Sequence, residues 1–513
     1  MRKLIASFLL VLLFAVSGYC ADISSNGTGG GNWSATATWS GSTVPTTNDV
    51  VTIVAGDTVT IDDSASATII LGADAGAGKD ALIINGTLQY LYTATVDHTL
   101  QCRGDIEINS GGTLSIGTSS NPIPSTRTFT LALNDDGADG DYGLRVNDGG
   151  TLVLQGASRT YDVCYLSDDI IATATTIPTS VNTGWKSGDV IVIAPTGRTY
   201  SEIDCRTLSE DADVDDDDEI KISSGVTYAH DGGADYPKAE IINLTRNVIV
   251  KNTDSGCMGY VYIASDFDID WVEFYGLGTA DSGKRGIYLW CNGNRSGSMQ
   301  HCSIHDCEYY GLYIGCNGAT TYNIDYNVLY NLSTVGNTSG ITAPATGYAI
   351  TGTVSHNTLI GSGTGSSSYG LNASEERLNY DYNSISGAYN RGFCNSGIGN
   401  SITGLVVHSN GSFNIDCSVY TSLMQLTDCV AYRNASSTNF YFNGNGQAYA
   451  IATNCQAFGS PNYNFGAGVG TYVELINCTA NSEASYTSQS NLLLYDSANV
   501  YAINCSFGTT SSA

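Results

Sequence analysis

Short runs of alternating hydrophobic and polar residues follow one another along the chain from about residue 33. Thr58-Val59-Thr60-Ile61 and Thr113-Leu114-Ser115-Ile116 are typical, and glycine separates many of the runs. Alternation over four to eight residues indicates half-buried β-strands rather than helices. The chain has 59 Gly and 33 Tyr but only 8 Pro, a composition that suits strands joined by tight turns. We therefore predict an all-β protein.

A repeat of about 25 residues is visible from residue 241 onward. Each copy has an Asn or Cys between two short runs, as in Ser355-His356-Asn357-Thr358-Leu359. This anchor column consists of Cys302, Asn327, Asn357, Asn383, Cys429, Cys455, Cys478 and Cys505. A second strand, led by Gly or Asn, keeps a constant phase to the anchor, and residues 286–293 and 311–318 are nearly copies. Two strands per coil at constant phase predict a right-handed, single-stranded parallel β-helix of the pectate-lyase-like type.

Parallel stacking explains the anchor column. Equivalent residues in successive coils lie about 4.8 Å apart, so an inward Asn can bond its amide to the next Asn and to turn backbone. Cys is small and apolar enough to fill the same position. We interpret many of the 15 Cys as core packing. Disulfides are the alternative, although stacked cysteines at this spacing have poor disulfide geometry.

Charge and an N-terminal apolar segment restrict partners and location. The formal net charge is −29, from 49 acidic and 20 basic residues, which disfavours nucleic acid and anionic membranes. Neutral glycans, Ca²⁺ and basic proteins remain as partners. Residues 1–21 have a basic start and a short apolar core, which predicts a signal peptide. Lipidation at Cys20 is the alternative. No later stretch resembles a membrane span, and we expect a secreted or cell-surface protein.

Several motifs in the N-terminal half occur in one order. They are Trp39-Ser40-Gly41, Asp49-Val50-Val51-Thr52-Ile53, Ile84-Asn85-Gly86-Thr87-Leu88 and Gly111-Gly112-Thr113-Leu114-Ser115-Ile116-Gly117-Thr118. In this order and spacing they resemble the extracellular eight-glycine domain of fibrocystin-like proteins and of hyaluronan-binding and hyaluronan-degrading cell-surface proteins. Segments 185–194 and 239–248 are similar to the segments that these proteins carry after that domain. The resemblance covers roughly residues 33–330, and it implies a parallel β-helix after the domain.

The resemblance does not carry over hyaluronan cleavage. The hyaluronan-acting members have a His-Phe-His strand soon after the β-helix begins. The corresponding strand here is Gly286-Ile287-Tyr288-Leu289-Trp290, in which Tyr288 and Trp290 replace the histidines. The resemblance therefore implies the fold but not this activity.

Together these patterns divide the chain into five segments. We expect a signal peptide over 1–21, a linker over 22–32, an eight-glycine-type β domain over 33–156, a β-rich connecting region over 157–240 and β-helix repeats over 241–513. The connecting region has a turn at 185–189 that enters a strand over 190–193.

Four residues are candidates for catalysis. His301 and His305 are four apart in a predicted strand and should face the same way. With Asp270 or Glu273 from the preceding coil, they could perform acid–base chemistry or bind a metal. The competing interpretation is ordinary surface or turn polarity.

The acidic loop around residues 211–219 is the candidate metal site. Asp211, Asp213, Asp215 and Asp217 supply the oxygen ligands that Ca²⁺ prefers. No Gly occupies the sixth position as in an EF-hand loop, so a solvated acidic hairpin is the favoured alternative. We predict no other cofactor.

Aromatic residues crowd three coils, and strand alternation must send some of them outward. Tyr288, Trp290, Tyr309 and Tyr313 are the candidate glycan-binding residues, because aromatic rings pack against sugar rings. The favoured function is a secreted or cell-surface β-helix protein that binds glycan or another surface without catalysis. The alternatives are a polysaccharide glycosidase or lyase, and a structural or assembly subunit, since no cap is evident after Cys505.

Overall fold

In the computed structural model the chain winds into successive coils, and the coils contribute their strands to three parallel β-sheets. The structure describes residues 21–72, 80–133, 142–212, 218–233, 238–253, 258–332, 338–347, 350–375, 377–395, 400–418, 423–444, 449–483, 490–495 and 497–510. The predicted signal peptide, apart from Ala21, lies outside the described residues. Among the residues described, no helix is long and apolar enough to cross a membrane. The fold is the predicted all-β parallel β-helix.

In the described part of the chain the first sheet has 15 strands, which define 15 coils. Its strands are Asp22–Ser24, Val50–Ile53, Asp80–Ile84, Asp105–Ile108, Gly143–Val146, Tyr260–Ile263, Ile287–Asn292, Leu312–Asn317, Ser339–Ala343, Tyr369–Ala373, Arg391–Asn395, Phe413–Ser418, Thr438–Asn443, Tyr463–Ala467 and Ser490–Leu494. All neighbouring strands pair in parallel, so equivalent residues of successive coils form columns along the axis.

The second sheet has 10 strands, and a separate five-stranded sheet takes its place in the last coils. The 10 strands are Gly30–Asn32, Thr58–Thr60, Thr87–Tyr90, Thr113–Ile116, Thr151–Gln155, Asp266–Asp270, Arg295–Gln300, Thr320–Asp325, Ile350–Ser355 and Leu378–Asn379. The other five are Ser401–Thr403, Leu423–Thr427, Tyr449–Thr453, Tyr472–Ile476 and Asn499–Ile503.

The third sheet has 14 strands, because the first coil has none on this side. They are Thr68–Leu71, His98–Cys102, Phe129–Leu133, Val248–Asn252, Val272–Tyr275, Ser303–His305, Val328–Leu332, Thr358–Ser362, Ser384–Ala388, Val406–His408, Val430–Tyr432, Gln456–Phe458, Thr479–Glu483 and Ser506–Thr510. Two short 3-10 helices, Thr36–Thr38 and Ser40–Ser42, occupy this side of the first coil. Trp33 and Trp39 pack edge to face there, with ring centroids 4.9 Å apart, and close one end of the core.

The coils begin at Asp22, well before the repeat that is visible from residue 241. Residues of the second sheet on either side of the connecting region pair in register, Thr151–Gln155 with Asp266–Asp270. The early coils lack the anchor because longer loops connect the second sheet to the third sheet at this corner. Later coils turn this corner in one or two residues, as at Trp271 between two strands.

The chain from about 156 to 247 is an insertion at this corner of the fifth coil. Its main sheet is antiparallel and contains, in spatial order, Val163–Tyr165, Glu240–Asn243, Val190–Ile193 and Asp204–Thr207. Thr176–Pro178 and Glu219–Lys221 form a second, two-stranded sheet. Trp185 is buried in a separate small core. The insertion therefore folds around its own interior while its two ends remain in one coil.

The Asn anchors form the predicted ladder at the same corner. The backbone N–H groups of Cys302, Asn327 and Asn357 each donate to the side-chain oxygen of the anchor in the next coil, all at 2.9 Å. The Nδ2 of Asn357 donates to Ile324 O at 2.9 Å and to Asn383 Oδ1 at 3.1 Å. These side chains are fully buried, so the bonds satisfy backbone groups that would otherwise be costly inside the core.

Cysteine replaces asparagine in the later coils. Leu405 fills the anchor position between Asn383 and Cys429, and Cys429, Cys455 and Cys478 follow as buried members of the column. The Sγ of Cys478 contacts two carbonyl oxygens, at 3.2 and 3.4 Å. The 13 cysteines that the structure describes are all free thiols. Packing, with weak S–H donation, explains this part of the column.

One residue with positive φ stands immediately before each anchor position, which Val272 occupies in the coil before Cys302. These residues are Trp271, His301, Tyr326, His356, Tyr382, Gly404, Asp428, Asn454, Asn477 and Asn504, with φ between 50° and 68°. The left-handed conformation is strained for residues with a Cβ. The residue after each corner offsets this strain, through ladder bonds where it is Asn and through packing where it is Leu, Val or Cys.

The insertion covers the outer face of the third sheet. Val192 and Ile242 of the insertion pack against Val328 and Ile360 of the solenoid. Polar groups also meet across this seam: His408 Nε2 lies 2.9 Å from Glu240 Oε2, with both side chains buried. Arg433, in the next coil, pairs with Asp231. Outward residues of the third sheet are thus interior residues of the whole molecule.

His305 lies at the solenoid side of this seam. Its Nδ1 is 2.8 Å from Asp306 Oδ2 and its Nε2 is 3.4 Å from Glu273 Oε1. Burial acts to lower the pKa of His305, but the hydrogen bonds with Asp306 and Glu273 outweigh it and raise this pKa to about 9.

Asn357→Ala tests the ladder. The substitution leaves the Asn327 N–H and the Ile324 carbonyl without their partner, so we expect a loss of about 2–4 kcal/mol in the free energy of unfolding. Denaturant unfolding measures it. Asn323→Ala, on an exposed position of a neighbouring strand, is the matched control and should change stability by less than about 0.5 kcal/mol. Equal effects of the two substitutions would contradict the role of the ladder.

His305→Gln tests the seam through pH. The folded pKa of His305 lies above the unfolded value of about 6.5, so its stabilisation is complete below that pH and is lost as the pH rises through about 9. Wild type should exceed the variant by about 3 kcal/mol at pH 6 and by little at pH 10. Melting curves across this range measure the difference. A gap that does not change with pH would show that the imidazolium contributes nothing.

Candidate functional site

A column of stacked tyrosines runs along the outer face of the first sheet. Tyr262, Tyr288 and Tyr313 occupy the same register position in three successive coils. Their ring centroids lie 5.7 and 4.4 Å apart, with interplanar angles of 16° and 5°. The column arises because every second residue of a strand points outward and parallel pairing aligns these residues between coils.

Trp290 and two further tyrosines complete this surface. Trp290 lies 5.9 Å from Tyr288 and 6.4 Å from Tyr313. Its ring covers Gly315, where an added Cβ would lie 2.5 Å from the indole. At the edge, the Tyr309 and Tyr310 rings lie 4.8 Å apart, and Tyr310 lies 5.8 Å from Tyr313. We call the set Tyr262, Tyr288, Trp290, Tyr309, Tyr310 and Tyr313 the aromatic patch.

The aromatic patch therefore contains all four residues that the sequence suggested for glycan binding. They do not contribute alike. Tyr288 is only 7% exposed and has a tyrosine on each face, so it supports its neighbours. Trp290, Tyr309 and Tyr313 are half-buried and accessible from outside.

Charged groups continue the same column beyond Tyr262. The Arg145 guanidinium lies 5.5 Å from the centre of the Tyr262 ring, and its Nε is 2.7 Å from Glu107 Oε1. Asp80 and Asp105 adjoin Glu107, with potential ligand oxygens of the three within 4.8 Å of one another. Burial raises the pKa of each of these carboxyl groups, and repulsion from neighbouring carboxylates acts in the same direction on Asp80 and Glu107. Arg145 supplies one positive charge beside these three carboxyl groups.

Sequence reasoning missed these charged residues. The signal was present as polar residues at alternate strand positions, Asp105 and Glu107 in one strand and Arg145 in another. Their connection to Tyr262 depends on the register across the insertion, which pairs Arg145 with Tyr262. That register is not visible locally.

The suggested calcium loop has one described member. Asp211 is exposed and pairs with Lys186, Oδ2 to Nζ at 3.0 Å, and accepts a hydrogen bond from the Ser187 N–H. Asp213, Asp215 and Asp217 lie outside the described residues. The calcium site therefore stays a prediction.

The four suggested catalytic residues separate into two pairs. His301 and His305 do not share a strand, because His301 is the left-handed residue at the corner and the strand begins at Ser303. The expectation that they face the same way was wrong for this reason. His305 and Glu273 meet in the seam beneath the insertion. His301 and Asp270 instead lie on the corner, at the edge of the second sheet.

His301 is held by residues at the root of the insertion, that is, at the two ends where the insertion joins the solenoid. Its Nδ1 lies 2.7 Å from Asp162 Oδ2, and its ring stacks on Trp271 at 4.4 Å and an interplanar angle of 2°. Arg246, which is buried, donates from Nη2 to Asp162 Oδ1 at 2.8 Å and from Nε to the His301 carbonyl at 2.9 Å. The sequence did not suggest Asp162, which lies 139 positions before His301.

Asp270 is the last strand residue before this corner. Its Oδ1 is buried and has no hydrogen-bond partner. Burial raises the pKa of Asp270 to about 6; the carboxylates of Asp268 and Asp162 act in the same direction, against the effect of His301.

The corner residues form a second aromatic stack that differs from the patch. The rings of Trp271, His301, Tyr326, His356 and Tyr382 succeed one another at 4.4 to 5.2 Å. Arg246 covers the outer face of Trp271 at 5.4 Å. At the other end Tyr382 lies over Gly404, where a Cβ would be 2.4 Å from the ring. Both terminal faces are therefore covered, and this corner stack presents ring edges rather than faces.

Comparison with known proteins identifies one region of the chain. Residues 38–167 match the G8 domain. Fibrocystin-L of Mus musculus and of Homo sapiens are each 29% identical over 235 residues, which cover 44% of this chain and 5% of the relative. The chain thus spans about a twentieth of the length of these relatives.

Among solved structures, the tailspike of Acinetobacter baumannii bacteriophage AP22, in complex with a capsular saccharide, is 10% identical and has a TM-score of 0.28, over 83% of this chain and 67% of that one. The A-module of a mannuronan C-5 epimerase from Azotobacter vinelandii is 10% identical with a TM-score of 0.27, over 91% and 92%. Both likenesses are too distant to bear on function. The strands of the first coils and the match over residues 38–167 together show that this protein carries a G8 domain built into the start of its parallel β-helix.

Proposed function

We propose that the protein is an exported, glycan-binding β-helix protein and that the aromatic patch is its binding surface. The observation that carries the proposal is the convergence of Trp290, Tyr309 and Tyr313 around the buried Tyr288 on one outer face. Predicted export over residues 1–21 would place this surface where glycans are found.

The chemistry of the patch suits a sugar ring. The apolar C–H face of a pyranose packs on an aromatic face, and a ring set in a rigid sheet loses little freedom on binding. Trp290 is fixed over Gly315 and Tyr313 is fixed against Tyr288, so both are oriented before a ligand arrives. Preorganisation of this kind strengthens binding without adding contacts.

Charge favours a neutral glycan. Asp80, Asp105 and Glu107 lie at one end of the column, and Arg145 is already paired with Glu107. An anionic polysaccharide would meet these carboxylates and the net charge of −29. Carboxylate and guanidinium groups can instead bond to the hydroxyls of an uncharged sugar.

Trp290→Ala and Tyr313→Ala test the proposal. The wild-type protein is applied to a glycan array, and the glycans retained are then titrated by calorimetry. We expect each substitution to weaken binding at least tenfold, equivalent to about 1.4 kcal/mol, because each removes one stacking face.

Tyr472→Ala is the matched control. Tyr472 also stacks between tyrosines, Tyr449 and Tyr501, but on the five-stranded sheet of the last coils. Its loss should leave glycan affinity unchanged. Absence of any retained glycan, or equal affinity of all three variants and wild type, would refute the proposal.

A further inference from the structure

We infer that His301, Asp270 and Asp162 form an acid–base site that hydrolyses a glycosidic bond of a neutral polysaccharide lying along the second sheet. This activity goes beyond binding at the aromatic patch and uses a different face of the molecule. The two proposals therefore stand or fall separately.

His301 is arranged as a general base. Asp162 accepts the Nδ1 proton at 2.7 Å, so the lone pair of the neutral imidazole resides on Nε2. No hydrogen bond joins Nε2 to any residue that the structure describes. The side chain is 31% exposed while Trp271 and Tyr326 hold its ring on both faces. A fixed, outward-facing nitrogen can accept a proton from water.

Asp162 and Arg246 act as positioning residues. Arg246 is fully buried and binds both Asp162 and the carbonyl of His301. Its other Nη atom donates to the Asn243 and Thr245 carbonyls. The root of the insertion is thus fastened to the same corner that carries the imidazole. A turn on the surface would require none of these bonds.

Asp270 is arranged as the general acid. It pairs in register with Gln300, the residue directly before His301, and so lies one coil from the base. Its Oδ1 has no partner although it is buried. Because Oδ1 is buried, a ligand would have to take the proton from Oδ2 of this half-buried carboxyl.

A tract of polar side chains leads away from Asp270 along the second sheet. Successive coils present one such group in each of two columns, about 4.8 Å apart along the axis. The columns are Asp268, Ser298, Asn323, Thr353 and Asn379, and Asp270, Gln300 and Asp325, and the second column ends at Ser355, which is buried. Hydroxyl, amide and carboxylate groups repeated in this way suit the hydroxyls of an extended, uncharged polysaccharide.

The reaction balances with water as the second reactant. His301 Nε2 takes a proton from water as the water oxygen bonds to the anomeric carbon. The bond from that carbon to the leaving sugar breaks, its electron pair goes to the glycosidic oxygen, and Asp270 protonates that oxygen. A proton then passes from His301 to Asp270 through solvent, which restores both groups.

Reducing-end release from β-glucan, mannan, xylan and starch, measured between pH 4 and 9, tests the inference. Wild type should release reducing ends from at least one of these. Asp270→Asn and His301→Gln should each lower kcat at least 100-fold, the contribution expected of acid–base groups. Asp162→Asn should lower kcat at least tenfold with little change in KM.

Activity should fall above about pH 6 as Asp270 loses its proton among Asp268, Asp162, His301 and Arg246.

His356→Gln is the matched control. His356 is the ring of the same stack two coils further, stacked between Tyr326 and Tyr382, and it has no aspartate partner among the described residues. This variant should cleave at the wild-type rate. Melting curves identify any variant that fails to fold, and the isosteric Asp270→Asn decides the matter where His301→Gln does fail.

Two outcomes would overturn the inference: no release from any of the four polysaccharides by folded wild type, or full activity of folded Asp270→Asn. Glycan capture without cleavage leaves the aromatic patch as proposed and removes this site. If Trp290→Ala abolishes glycan capture but leaves cleavage intact, cleavage at His301 does not depend on the aromatic patch.

Discussion

The corner between the second and third sheets is the constraint on which this molecule depends. The chain must turn there within one or two residues, which requires a left-handed residue, and the backbone groups just after the turn are buried. Asn327, Asn357 and Asn383 satisfy those groups from one coil to the next. A buried N–H without a partner costs more than a hydrogen bond contributes, so the ladder stabilises the corner wherever Asn occupies the anchor, while Leu405 and the cysteines fill the anchor by packing.

The same corner produces the aromatic stack that holds His301 and the opening through which the insertion leaves the solenoid. Because the left-handed residue points its side chain outward, aromatic residues placed there stack into a continuous column that includes His301. Because the corner of the fifth coil is open, an insertion can leave the solenoid without disturbing its register. The insertion then brings Asp162 and Arg246 back to the column. The surface chemistry of the corner is therefore a consequence of its backbone geometry.

Local spacing was enough to predict the parallel coils, the Asn and Cys anchors, and the gathering of Tyr288, Trp290 and Tyr313. All of these lie within regular repeats, in which a position in one coil implies its neighbour in the next. Arg145 beside Tyr262 and Asp162 beside His301 could not be found in this way. All or most of the insertion separates the two members of each pair. No repeat in the sequence marks the point at which the chain returns from the insertion to the solenoid. The burial of His305 was missed for the same reason, since only the folded insertion shows which sheet it covers.

The insertion also interrupts an otherwise local order of assembly. Nearly every coil can dock on the coil before it, but the third strand of the fifth coil, Val248–Asn252, reaches its partner Phe129–Leu133 only after the whole insertion has been made. Closing a longer loop adds little free energy, about 0.6 kcal/mol for each doubling of its length. Its effect on rate is larger, because distant pairing slows folding. The first four coils can therefore form one early unit and the later coils another, with their junction as the slow step.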